Sequence, residues 1–203
     1  MKYFWLFIVL ILMGACSPTL RQSYAKLSPP EKGWVVFHPF KASAAYAISK
    51  NAEKVKDSII SVGIIGSDNN GGHLDAFKHS FWMARLTQNI GKRAALSLGK
   101  AHEKGNYRTY KKSDLEDGLL PDKQSTDMDL HNNTVGNKIG IRHKNVSKLL
   151  VIQLVLDSLQ NGNLRVLLKD SEGNFLDCQQ KRIPLDSLKN KWDTKKCLIP
   201  SNE

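Results

Sequence analysis

Apolar residues recur at helical spacing through most of this chain, and that period restricts it to a fold built by packing helices. Over residues 39–61, Ala44, Ala45, Ile48, Ala52, Val55 and Ile59 fall on one stripe. Residues 73–89 repeat the pattern through Phe77, Phe81, Ala84 and Leu86, and Gly91 interrupts it. Residues 92–104 resume it through Ala95, Leu98 and His102, with Gly105 placed as a helix-ending glycine. Residues 128–141 return to helical spacing with Gly136 and Gly140 one turn apart, and residues 145–159 form an apolar helix closed by Asn161-Gly162. Ser28-Pro29-Pro30-Glu31 reads as a helix start, with Ser as cap, Pro in the first turn and Glu three residues on. That helix ends before Pro39. Ser67-Asp68-Asn69-Asn70-Gly71-Gly72 is a loop, and residues 107–127 are polar and aperiodic, a long loop or lid. Extended character is confined to residues 164–168 and 174–178, which flank the turn signal Asp170-Ser171-Glu172-Gly173. The expectation is a mainly α fold, a helical domain with a small C-terminal β-hairpin.

The N-terminus carries an address. Met1-Lys2-Tyr3 gives a basic start, residues 4–13 are unbroken and apolar, and Gly14-Ala15-Cys16 follows. A run that short cannot span about 30 Å of hydrocarbon as a helix, so it reads as a signal peptide. The terminal cysteine resembles the lipobox of bacterial lipoproteins, with Met13 where Leu is commoner. That resemblance implies cleavage before Cys16 and lipidation (palmitate among the acyl chains) of its thiol and amine. Ser17, in place of Asp, favours the outer membrane facing the periplasm in a Gram-negative cell. The organisation expected is a signal peptide over 1–15, a lipidated tether over 16–30 and one globular domain over 31–203.

Lipidation of Cys16 leaves Cys178 and Cys197, an even count that favours a disulfide in an oxidising envelope. The chain has 203 residues, and its 41% hydrophobic and 24% charged content places it among globular rather than disordered chains. Its formal charge of +11 suits the anionic membrane and other anionic envelope components. No nucleic-acid motif or aromatic interleaving accompanies that charge, so specific nucleic-acid binding is not expected.

Three segments place polar residues on helices that otherwise read as core. In His73-Leu74-Asp75-Ala76-Phe77-Lys78-His79, Asp75 and His79 are four apart and share a face. Ala101-His102-Glu103 is the second segment. The third is Met128-Asp129-Leu130-His131-Asn132-Asn133, in which Asp129, Asn132, Asn133 and Gly136 project to one side. Buried groups of this kind cost several kcal/mol without partners. They must therefore satisfy one another, as an internal brace or as a site.

These motifs, with Trp82 and Ile90-Gly91, resemble an uncharacterised bacterial domain family. Its members carry Asp-Ala-Phe-Arg-His, Ala-His-Glu and Met-Asp-x-x-Asn-Asn in that order, many in secreted, lipid-anchored or toxin-associated proteins. The likeness covers residues 38–142, and Lys78 stands where the family usually has Arg. It transfers positions, not a reaction.

Two chemistries suit the residues. His79, His102, Glu103, Asp75 and Asp129 are N and O donors that could take a divalent metal. The His-Glu pair does not continue into H-E-x-x-H, since Gly105 and Asn106 follow. Metal-free acid–base catalysis is the other, with His79 held by Asp75, Glu103 as second proton carrier, and Asn132 and Asn133 steadying developing charge. Gly-x-Ser-x-Gly is absent and no cysteine adjoins the motifs, which argues against serine or cysteine nucleophiles. Phe77, Phe81 and Trp82 read as core, and His38, His131 and His143 carry no expected role. The sequence thus supports an envelope hydrolase of unknown substrate, or a non-catalytic lipoprotein that binds or scaffolds at the membrane with the same residues as a brace.

Overall fold

The computed structural model describes residues 18–112 and 120–203. The leader, Cys16, Ser17 and part of the expected long loop lie outside them. Eight helices occur among the described residues: α1 (Pro18–Lys26), α2 (Pro29–Phe37), α3 (Pro39–Val62), α4 (His73–Ile90), α5 (Lys92–Lys112), α6 (Lys123–Arg142), α7 (Lys148–Gln160) and the short α8 (Leu185–Leu188). Strands β1 (Arg165–Leu167) and β2 (Leu198–Pro200) form a two-stranded antiparallel sheet, with Val166 opposite Ile199. The chain is mainly helical with a small C-terminal sheet, as its periodicity indicates. None of the described helices is long and apolar enough to cross a membrane.

Helix α4 is the hub, packed against α3, α5, α6 and α7. Its Phe77 and Phe81 rings stack in a core with Ala52, Val55 and Ile59 of α3 and Val151, Val155 and Leu159 of α7. Its Met83, Leu86 and Ile90 meet Trp34 of α2 and Ala94, Ala95 and Leu98 of α5. A helix enclosed on so many sides can leave polar groups only where a cavity or a partner receives them. That restriction places Asp75 and His79.

The α4–α6 crossing is unusually close. A Cβ on Gly136 would strike the Ser80 carbonyl oxygen, and one on Gly140 would stand 2.5 Å from the Ala84 carbonyl oxygen. Gly136 lies two turns from Asp129 on the same helix, so the contact that needs glycine also sets Asp129 opposite α4.

Several expected boundaries move. Helix α5 continues through Gly105 to Lys112. Gly105 serves close packing instead of ending the helix, because a Cβ there would meet Ser28 Oγ at 2.5 Å. The expected loop is thereby shortened from both sides, since Asp122 caps α6 by accepting the Ser125 N–H at 2.8 Å. Residues 18–26, expected as tether, are helical, and Ser23 Oγ donates to Tyr46 Oη on α3 at 3.0 Å. The segment around Asp170–Gly173 turns with single bridges at Lys169–Phe175 and Leu176–Arg182, while β1 takes its ladder from β2, over thirty residues on. Turn chemistry identified the bend but could not name the more distant partner.

The tail is fastened twice. Cys178 and Cys197 form the expected disulfide. Lys196 donates to Asp122 at 2.6 Å with both side chains buried, its ammonium 3.9 Å from the Phe175 ring centre.

Candidate active site

The three motif segments converge on one cavity of about 370 Å³, to which α2 and α3 also contribute. Asp75 and His79 reach it from α4, His102 from α5 and Asp129 from α6. Glu31 enters from the first turn of α2, and Glu53 and Ser49 from α3.

One wall is deeply buried. His79 Nε2 lies 3.5 Å from Asp75 Oδ1 and 3.4 Å from Asp129 Oδ1. Asp75 is fixed through both oxygens: Gly71 N–H donates to Oδ2 at 2.9 Å, and the Lys78 ammonium sits 3.0 Å from Oδ1. Burial, then the charges of Lys78 and His102, push the His79 imidazole well below its ordinary range, against the opposing influence of Asn133. Asp75 and then Asp129 hold the Lys78 ammonium above its ordinary value in spite of burial. His79 Nδ1 and both Asn133 side-chain atoms are buried and lack partners in standard hydrogen-bond geometry, yet Asn133 stands near enough to favour the protonated ring. This cluster of Asp75, His79 and Asp129 presents three ligand-type atoms within 4.8 Å of one another, the set best placed to hold a metal.

The other wall is a more open dyad. His102 Nδ1–H donates to Glu31 Oε1 at 3.1 Å, and the His102 side chain is about one-third exposed. Glu31 Oε2 also accepts from Ser28 N at 2.9 Å and Ser28 Oγ at 2.6 Å, completing the capping box of α2. Burial alone would raise the Glu31 carboxyl, but the bond and charge from His102 and the two Ser28 bonds outweigh it and hold it at about 2. Trp82 stands between the walls, with its ring 6.5 Å from His79 and 5.9 Å from His102. Its Nε1–H donates to Ser49 Oγ at 2.9 Å. The His79 and His102 ring centroids are 6.2 Å apart, contact distance for tilted rings, so the two walls adjoin.

The expected residues thus divide. Asp75, His79, His102 and Asp129 line the cavity together. Asn133 lies behind His79, under Gly99 of α5. Asn132 faces away and bonds both the N–H and C=O of Arg165, tying α6 to β1. Glu103 is buried against Asn106 and does not line the cavity, because one residue along α5 from His102 turns the side chain by about 100°. His131 bonds the Asn163 carbonyl at the sheet end of α6. Glu31 and Trp82 were not singled out for chemistry. The capping role of Glu31 explained it without a site, and Trp82 falls on an apolar stripe.

Residues 32–163 match the family described as a domain of unknown function (DUF6973). The chain belongs to that family. The DUF6973 stretch begins in α2 and ends just before β1, so it contains Glu53, Asp75, Lys78, His79, His102 and Asp129 of the cavity lining. Glu31 precedes it by one residue. It extends beyond the region of sequence likeness at both ends, taking in the α7 helix that closes the core. No curated protein and no solved structure matches the chain.

Proposed function

We propose that this chain is a lipid-anchored hydrolase of the bacterial envelope, fastened through Cys16 and acting at the cavity between α4, α5 and α6. The observation that carries the reading is that a buried Asp75–His79–Asp129 wall and a more open Glu31–His102 dyad line the same cavity. An internal brace needs no cavity between its halves. Enzymes that split bonds with water need one group to take a proton and a second, fixed set to hold the reacting centre.

His102 is the proton carrier of this proposal. Glu31 remains a carboxylate and holds the Nδ1–H, which orients the ring so that its Nε2 takes the proton of a water as the oxygen attacks a carbonyl or phosphoryl centre. The same nitrogen returns the proton to the leaving group as the bond to it breaks. His79 is too enclosed to exchange protons freely and serves as an anchor with Asp75 and Asp129.

The cavity gives a substrate constraint that composition did not. Among the described residues, Glu31, Glu53, Asp75 and Asp129 outnumber Lys78 in the charged lining of the cavity. The positive charge of the chain lies elsewhere and suits attraction to an anionic membrane, whereas the cavity itself favours neutral or cationic groups such as the esters and amides of envelope lipids and peptidoglycan. The test incubates the full chain with isolated envelope lipid and peptidoglycan fractions and reads products by mass spectrometry. Wild type and His131→Gln release a product, and His102→Gln and His79→Gln do not. Product formation indifferent to His102, or none at all from wild type, would defeat the hydrolytic reading. Cell fractionation of Cys16→Ser checks the anchor, since continued membrane association would defeat it.

A further inference from the structure

We infer that Asp75, His79 and Asp129 form the protein ligands of a single divalent transition-metal ion at the floor of the cavity. This deepens the hydrolytic reading and rests on it for what the ion would do, although the ion site itself stands on separate geometry.

The distances carry the inference. His79 Nε2 lies 3.5 and 3.4 Å from Asp75 Oδ1 and Asp129 Oδ1, longer than a charge-assisted hydrogen bond of about 2.7–2.9 Å. Ligands held about 2.0–2.1 Å from a zinc-sized ion at tetrahedral angles are about 3.4 Å apart. A ring nitrogen placed that far from two carboxylate oxygens is spaced as coordination requires. The carboxylates come from different helices, brought together at the glycine crossing of α4 and α6.

Two further features agree. The imidazole is 6% exposed, enclosed among packed helices that hold its orientation, and Asn133 is the polar group nearest its other nitrogen. All three residues also line the cavity, so an ion held among them would have an open position on that side for water or substrate, as catalytic ions do and structural ones do not. One nitrogen and two carboxylate oxygens suit Zn²⁺, Mn²⁺ or Fe²⁺ better than a thiol-seeking ion. Such an ion would polarise the bond under attack, while His102, on the opposite wall, handles the proton. Lys78, 3.0 Å from Asp75 Oδ1, is the one ammonium lining the cavity among the described residues and competes with the ion for that carboxylate.

The experiment titrates chelator-treated full chain with Zn²⁺ and Mn²⁺ by calorimetry and records the visible spectrum with Co²⁺. One ion per chain is expected, with a Co²⁺ spectrum of nitrogen and oxygen ligation and no thiolate band. His79→Gln and Asp129→Asn should weaken binding at least 100-fold, Lys78→Met should tighten it, and His131→Gln should leave it unchanged. Circular dichroism verifies folding, and the wild-type stoichiometry and Co²⁺ spectrum decide the matter even if a variant fails to fold. No binding by wild type, binding indifferent to His79→Gln and Asp129→Asn, or binding lost in Lys78→Met would overturn the inference. If wild type binds no ion but His102→Gln still abolishes product release, the ion is refuted and the hydrolytic reading stands. If an ion binds and no product forms, the reverse holds.

Discussion

Gly136→Ala tests whether the close crossing of α4 and α6 holds the cavity together. In an open helix, Gly to Ala gains about 1 kcal/mol from reduced chain entropy. Gly33 in α2 has that setting, with nothing within 4 Å of an added Cβ, and Gly33→Ala should stabilise the chain by roughly that amount. At Gly136 the added carbon would lie 2.8 Å from the Ser80 carbonyl carbon and 2.9 Å from Ser80 Cα. Ordinary carbon contacts are about 3.5–4.0 Å, so the helices must separate by roughly 1 Å. The obstacle is backbone, which cannot rotate away as a side chain could. Overpacking of this kind costs about 1–3 kcal/mol, which after the helical gain leaves a net loss of up to about 2 kcal/mol and a Tm lower by up to roughly 4–8 °C. The separation also carries Asp129 away from His79, so any property of the cavity should fall with stability. Urea unfolding of wild type, Gly33→Ala and Gly136→Ala under one buffer measures this. Equal stabilisation by both substitutions would refute the crossing, and with it the account of how Asp129 is placed.

Glu31 contributes a pH dependence of known sign. Its folded value of about 2 lies below the ordinary 4.5, so its contribution is present above pH 4.5 and is lost as pH falls from 4.5 towards 2. The loss is at most about 3 kcal/mol, and Glu31→Gln should flatten the stability curve within that window. Asn132→Ala leaves the buried-edge N–H and C=O of Arg165 unpaired and should cost about 2–4 kcal/mol without touching the cavity lining, as read by denaturant unfolding. Replacing Cys178 and Cys197 by Ser opens a 19-residue span and should lower stability by about 3 kcal/mol, with the helical circular dichroism signal retained at room temperature.

The helices were legible because a buried stripe repeats every three to four residues whatever it packs against. Val55 and Ile59, Phe77 and Phe81, and Val151 and Val155 are core in the structure for the reason that their spacing suggests. Glycine was not legible in the same way. Gly91 ends α4 at positive φ as read, but Gly105 lies mid-helix because Ser28 of another helix approaches it, which only tertiary packing reveals. The same distinction runs through the site. Asp75 and His79 are one turn apart and could be paired on sequence, whereas Glu31 and His102 are 71 residues apart and meet only because α2 packs on α5. Helical phase grouped Asn132 with Asn133, but neighbours on a helix turn to different partners: Asn132 to the sheet and Asn133 towards His79, just as Glu103 turns away from the cavity that His102 lines. Nothing in the sequence separates Lys196 from the other lysines, and its burial against Asp122 follows from the disulfide-bonded tail folding back.

The most direct test of a working site, as opposed to a brace, is the unfolding free energy of chelator-treated Asp129→Asn. Asp75 and Asp129 present carboxylate oxygens within 4.8 Å across His79, and the single Lys78 ammonium beside Asp75 offsets only part of the repulsion between the two charges. The account predicts that removing one charge leaves stability unchanged or raises it by about 1 kcal/mol, as at sites held for function at a cost to the fold. A fall of about 3–5 kcal/mol, the signature of a broken buried ion pair, would show that these residues brace the helices and would contradict the account.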